Sequence, residues 1–444
     1  MAALVPAADP SALSRGPARV TLYSWIVFAL SFGLLISDYM ARQVLNAVFP
    51  LLKAEWALSD TQLGWLSGVV ALMVGLLTFP LSLAADRWGR VRSLAVMAAL
   101  WSLATLLCAA AANYGQMLAG RLMVGVGEAA YGSVGIAVVI SVFPRRLRAT
   151  LSAAFMAGGL FGQVLGVALG GEISASHGWR TAFLVIGLSG LALALAYALI
   201  VRERLIADIA GPAARPAGGG SLPLRALFAG RCVRQVYTAS GIQLFAAGAL
   251  PAWLPSYFNR YYDLPVNTAS RLAALLLLAC GCGMILCGMA SDRLAVAHPD
   301  RKFQLAIGYS LGSAITLTLA LLLPAGPAQI ALLAIAMFLV AGTTGPAGAM
   351  VANLTPLAIH GTAFATLTLA HNLLGLAPGP IATGWLADAI GLHEAFRFLP
   401  FASLLAAWLF FRARGSYAAD LAALEAARTH RAVGGRDQRR VDLT

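Results

Sequence analysis

The chain has 444 residues, of which 60% are hydrophobic and 11% charged, and it carries a formal net charge of +13. A soluble domain carries about 25% charged residues, so this composition excludes an ordinary soluble enzyme and points to a polytopic membrane protein. The basic excess sits in short segments between apolar runs, which is a topology signal and not a nucleic-acid groove.

Residues 1–21 are rich in Ala and Pro and read as a cytoplasmic segment. No signal peptide is expected, because the apolar run that follows is too long for a signal core. The first span lies near 22–47 and contains "ISDYMARQVLN" at 36–46. Asp38 and Arg42 stand at i, i+4 and share a helical face, with Ser31 and Asn46 near the same stripe. Ionised groups at that depth cost about 2.5–3.5 kcal/mol each on insertion scales, so they are expected to face a polar cavity.

Spans two and three lie near 61–84 and 93–112, joined by "SLAADRWGRVRS" at 82–93. Span four, near 116–142, contains "RLMVGVGEAAYG" at 121–132. Arg121 and Glu128 stand there at i, i+7, again on one face, with Tyr131 just beyond. Spans five and six lie near 149–172 and 180–201, and the fifth carries "GQVLGVALGG" at 162–171. Residues 22–201 thus form a first six-helix bundle, and the Pro-, Gly- and Arg-rich stretch 202–232 reads as a cytoplasmic linker.

Spans seven to twelve lie near 233–256, 270–290, 303–323, 329–352, 358–384 and 393–412, giving a second bundle over 233–412. Its polar features are sparse: Gln243 in span seven, and His371 and Asn372 in "AHNLLG" at 370–375. "GTTGPAG" at 342–348 interrupts span ten, as is tolerated where a helix lines a cavity or hinge. The tail, 413–444, is expected to hold a short surface helix and then a basic, disordered end.

Of the 31 Lys and Arg, 24 fall on the side of the N-terminus, five on the other (Lys53, Arg180, Arg260, Arg271, Arg397), and Arg42 and Arg121 lie inside spans. Both termini are therefore expected in the cytoplasm, with the chain in the cell inner membrane. The five cysteines show no metal-ligand spacing and read as packing residues.

The loop after span eight, "GMASDRLAVAHPDRK" at 288–302, repeats the loop after span two. Both have a small residue, three more residues, then Asp-Arg; Asp86 and Asp292 are 206 residues apart, close to half the chain. A half-length repeat means two homologous bundles. On these residues the sequence resembles the major facilitator superfamily, whose loop signature is Gly-x-x-x-Asp-Arg-x-Gly-Arg-Arg. Ser82 stands in the first position, Asp86, Arg87, Gly89 and Arg90 match, and Val91 departs. The second copy keeps Gly288, Asp292 and Arg293.

The resemblance implies an all-α membrane protein of twelve transmembrane helices in two pseudo-symmetric six-helix bundles. It also implies a conformational gate at these seven matching residues of the two loops, in which Asp86 caps a neighbouring helix and pairs with an Arg in one state. "RLMVGVGEAAYG", "LLKAEWALSDTQLGWLSG" (51–68), "GWRTAF" (178–183) and "GLAPGPIATGWLAD" (375–388) are similar to Spinster-like and organic-anion facilitators. Two positions depart. The family's first span usually reads Asn-x-x-Asp-Arg, but Ala41 stands where the acid is expected and Asp38 lies one turn earlier. Whether Asp38 replaces that acid is open. Val167 replaces the proline typical of drug exporters, which weakens an antiport reading.

Asp38 and Glu128 are the proton-coupling candidates. Arg42, Arg121, Tyr131, Gln243, His371 and Asn372 are the substrate-binding candidates, the arginines because a guanidinium makes two-point contacts with carboxylate, sulfonate or phosphate. The alternative is a closed ion-pair network that only orients helices. No nucleotide, dinucleotide, metal or triad motif is present, so no cofactor is expected and energy must come from a gradient. The expected function is proton-coupled uptake of a small organic anion by alternating access; the alternative is export of a lysolipid or amphipathic lipid. The expected partners are that substrate, protons and the bilayer, without nucleic acid, and the chain is expected to be a monomer.

Overall fold

The computed structural model describes residues 20–210, 227–228, 230–295, 300–356 and 359–441. Most of the expected N-terminal segment, the linker core at 211–226 and the last three residues therefore lie outside the described residues. The first half comprises α1 (Leu22–Trp56), α2 (Asp60–Trp88), α3 (Arg90–Ala109), α4 (Tyr114–Glu128) with α5 (Tyr131–Ser141), α6 (Arg145–His177), α7 (Trp179–Ile200) and the short α8 (Glu203–Ala210). The second comprises α9 (Arg231–Tyr261), α10 (Val266–Leu294), α11 (Arg301–Leu322), α12 (Pro327–Val340) with α13 (Thr344–Leu354), and α14 (His360–His371). A π turn at Asn372–Leu376 joins α14 to α15 (Pro378–Ile390), and α16 (Leu392–Phe396) leads into α17 (Leu399–Val441).

Local chemistry sets the helix starts. Thr21 accepts from the Ser24 amide at 3.1 Å, and Ser59 and Gln62 form a reciprocal capping box before α2. Gly89 turns the chain between α2 and α3 at φ 101°, a conformation open to glycine without strain.

Among the described residues, eleven helical runs are long and apolar enough to cross a membrane. The expected seventh span, α9, is the one that falls short in apolarity. Its position explains this: 20 of its 31 residues are buried in the protein, so it needs little lipid-compatible surface. Elsewhere the outward faces carry large apolar side chains such as Leu195, Leu275 and Phe401, each more than 60% exposed. A belt of that kind suits acyl chains and not water, and the chain is a multi-pass membrane protein.

The halves meet along two seams, α2 on α15 and α6 on α10. Counted as spans, these are two with eleven and five with eight, and a shift by six exchanges them. The seams are thus equivalent under the two-fold relation that the sequence repeat predicts. Glycines set the closeness of approach at both levels. A Cβ on Gly162 of α6 would stand 2.5 Å from the Ile36 carbonyl oxygen of α1, and one on Gly68 of α2 would stand 2.5 Å from that of Ala377.

Two elements differ from the sequence expectation. Span four is broken at Ala129–Ala130, between α4 and α5. The tail does not end in a short helix but continues α17 to Val441, as its Ala, Leu and Arg content favours.

Candidate functional site

A cavity of about 230 Å³ lies between the halves. From the first half it is lined by Tyr39, Arg42, Gln43 and Asn46, which form an i, i+3, i+4, i+7 stripe on α1, by Ser67 of α2 and by Gln163 of α6. From the second half the corresponding stripes are apolar: Leu244, Ala247, Gly248 and Pro251 on α9, and Leu277, Cys280, Gly281 and Met284 on α10.

Arg42 is the cationic member of this lining. Its Nε and Nη2 both donate to Glu128 Oε2, at 3.0 and 2.7 Å. Its Nη1 has no hydrogen-bond partner among the described residues, and the side chain is 20% exposed while that of Glu128 is fully buried. The guanidinium carbon lies 5.4 Å from the Tyr39 ring centroid, a cation–π contact. Glu128 ends α4 just before the break, and the Ala129 carbonyl there accepts from Thr78 Oγ1 at 2.7 Å. Asp38 is buried with Glu128 and Arg42 as its charged neighbours. Asp38 Oδ1 and Glu128 Oε1 are buried without a partner among the described residues. Neither carboxyl group is among the cavity-lining residues: Glu128 binds the cation that reaches the cavity, and Asp38 lies beside that pair.

Neutral amides complete the polar wall. Asn46 Nδ2 donates to Gln43 Oε1 at 2.5 Å, and Gln43 Nε2 donates to Gln163 Oε1 at 3.5 Å. Asn46 Oδ1 remains buried without a donor among the described residues. Tyr39, Gln43, Ser67 and Gln163 were not expected from the sequence. The signal that finds the two of these on α1, Tyr39 and Gln43, is their spacing with Arg42 and Asn46 on one helical stripe.

The other binding candidates stand behind this lining. Arg121 is fully buried and donates to the backbone carbonyls of Ala41, Arg42 and Leu66 at 2.8, 2.9 and 3.3 Å. It pins α4 to α1 and α2. Tyr131 donates to the Ser31 carbonyl at 2.7 Å and meets Trp101 edge-on at 4.9 Å. Gln243 Nε2 donates at 3.2 Å to the carbonyl of Val340, where α12 ends at the Gly-rich break. His371 Nε2 hydrogen-bonds Ser240 Oγ at 2.7 Å, and Asn372 Nδ2 donates to the Thr368 carbonyl at 2.9 Å. None of these five is among the cavity-lining residues.

The gate candidates lie at the end of the molecule nearer the termini. Asp86 pairs with Arg90 at 3.0 Å within its own loop, both exposed. The cap on α3 comes instead from Glu203, which accepts from the amides of Arg90 and Val91 at 3.1 and 3.0 Å. Arg87, Asp292 and Arg293 are exposed, and a Cβ on Gly345 would meet Gly288 Cα at 2.9 Å. Among the described residues no ion pair joins the halves at this end.

The opposite end is closed by residues to which the sequence assigned no such role. Arg260 grips Asp60 with two bonds of 2.8 Å, and Lys53 adds a third at 2.6 Å. Asp388 accepts from the amides of Asp60 and Thr61 at 2.7 and 2.8 Å and from Thr61 Oγ1 at 2.6 Å, so α15 caps α2 across the seam. Arg271 pairs with Glu172 across the other seam. Phe49 packs on Trp253 with ring centroids 5.1 Å apart.

Residues 30–378 match the family model described as Major Facilitator Superfamily. The chain is 26% identical over 323 residues to the probable L-galactonate transporter of Escherichia coli (strain K12), covering 69% of this chain and 71% of that protein. It is 27% identical over 321 residues to the gallate transporter of Pseudomonas putida, covering 66% and 70%. Its fold matches a crystal structure of a bacterial homologue of the human lysosomal transporter Spinster, in an inward-facing, unoccupied conformation. The TM-score is 0.77, at 20% identity, covering 90% of this chain and 98% of that one.

Proposed function

Because this chain belongs to the Major Facilitator Superfamily, a family of transporters and not of enzymes, we propose that it carries a small organic anion, a carboxylate or sulfonate, inward together with a proton. In this reading it sits in the cell inner membrane with both termini cytoplasmic. Residues 22–201 and 233–412 rock as two bodies about the central cavity. The end closed by Asp60, Arg260 and Asp388 then faces outward, so the conformation described is inward-facing, like the Spinster homologue it resembles in fold. The loop residues Asp86, Arg87, Gly89, Arg90, Gly288, Asp292 and Arg293 close the cytoplasmic end in the opposite state.

The observation that carries the proposal is Arg42: a guanidinium in the cavity lining, with Nη1 uncommitted and its other contacts held by Glu128. An arriving carboxylate takes Arg42 by two-point contact and competes with Glu128. Glu128, released beside Asp38 in a dry pocket, takes up a proton, because two unpaired carboxylates at that site repel and lack solvation. Binding and protonation are then one event, and anion affinity rises as pH falls. Both relatives named above are transporters of carboxylates, which supports this substrate class. The lipid reading rests on likeness to Spinster proteins in sequence stretches and in fold.

The test is uptake into proteoliposomes under an inward proton gradient. Wild type accumulates labelled anion. Arg42→Ala loses uptake, and Glu128→Gln keeps exchange of internal for external anion but loses gradient-driven accumulation. Normal uptake by Arg42→Ala would overturn the proposal.

A further inference from the structure

We propose that the cavity selects a flat, largely apolar carboxylate, a hydroxylated aromatic or conjugated acid, over a polyhydroxylated sugar acid; the inference rests on the anion-binding role of Arg42.

It follows from the unequal walls. Spans one and seven are equivalent under the six-span shift, yet α1 lines the cavity with Tyr39, Arg42, Gln43 and Asn46 and α9 with Leu244, Ala247, Gly248 and Pro251. The α9 stripe carries no polar side chain. On α10 the stripe is again apolar, and Thr344 is the hydroxyl that the second half adds to the lining. A ligand therefore meets hydrogen-bonding groups along one edge and hydrocarbon along the other.

A sugar acid carries hydroxyls along its whole length. With its carboxylate on Arg42, those turned toward Leu244, Leu277 or Met284 would lose water and find no partner, and each such loss weakens binding. A planar conjugated acid has the complementary distribution. Its carboxylate meets Arg42, its face packs on Leu244 and Leu277, and the Met284 thioether suits a ring edge. The amide wall reads the polar edge. Gln43, Asn46, Gln163 and Ser67 line it, and their amide and hydroxyl groups can pair with a ring hydroxyl.

The experiment is competition for labelled 4-hydroxybenzoate on the purified full-length protein, with unlabelled 4-hydroxybenzoate and gluconate, and thermal unfolding to confirm that each variant folds. Wild type should bind 4-hydroxybenzoate about tenfold or more tightly than gluconate. Leu244→Asn or Met284→Gln, which place an amide on the apolar wall, should shrink that ratio. Arg42→Ala should lose both ligands. Gluconate binding as tight as 4-hydroxybenzoate in wild type would overturn the selectivity and leave the anion site standing. Both acids binding Arg42→Ala as they bind wild type, or neither binding wild type, would overturn the anion site itself.

Discussion

Arg42 and Arg121 are the two basic residues inside spans, and nothing in their sequence context separates them. Their partners do. Arg121 spends its donors on three main-chain carbonyls and is sealed, whereas Arg42 faces the cavity with a nitrogen uncommitted. Arg121→Ala removes the three bonds that pin α4 to α1 and α2 and leaves a void where a fully buried side chain stood, although the carbonyls keep their own helical amides. Thermal unfolding in detergent should show a drop of several degrees or loss of the folded peak. Arg42→Ala should unfold near the wild-type temperature while losing stabilisation by anion; the reverse pattern would exchange their roles. Asp38, Arg42 and Glu128 were legible because a charge in a span is costly and rare. Gln43 and Gln163 were not, because a neutral amide costs less and does not stand out. Gln243, His371 and Asn372 stood out but do not line the cavity, since a polar side chain in a bundle serves a neighbouring helix as readily as a cavity.

Interrupted helices place these side chains. The break in span ten was legible in "GTTGPAG", where Gly and Pro weaken the helix directly. The break after Glu128 was not, because Ala129 and Ala130 are good helix formers. It is held by tertiary contact, the Thr78 hydroxyl on the Ala129 carbonyl. The cap that Asp388 places on α2 was equally hidden, because its partners are about three-quarters of the chain away in sequence. An N-cap is worth about 0.5–2 kcal/mol, so Asp388→Ala should raise the population open at that end by a few-fold or more. Spin labels on Ala175 and Thr268, at the adjoining ends of α6 and α10, should report a second, longer distance in the variant. An unchanged distribution would show that Asp388 does not hold that end closed.

For the whole molecule, the architecture was legible and the conformation was not. Apolar runs, the basic bias of one side and the repeat about Asp86 and Asp292 together specify twelve spans in two related halves. They describe both ends of the transport cycle alike. Which end is closed depends on pairs far apart in the chain, Asp60 with Arg260 and Glu172 with Arg271, and no local pattern announces them. In the proposed mechanism the exchange of partners at Arg42 couples the two halves, because it ties anion arrival to protonation of Glu128. The direct measurement is proton uptake on binding: 4-hydroxybenzoate added to concentrated, weakly buffered protein, with pH followed by a dye. Wild type should take up close to one proton per anion bound and Glu128→Gln none, with both binding the anion. Stoichiometric binding to wild type without proton uptake would contradict the coupling at its source.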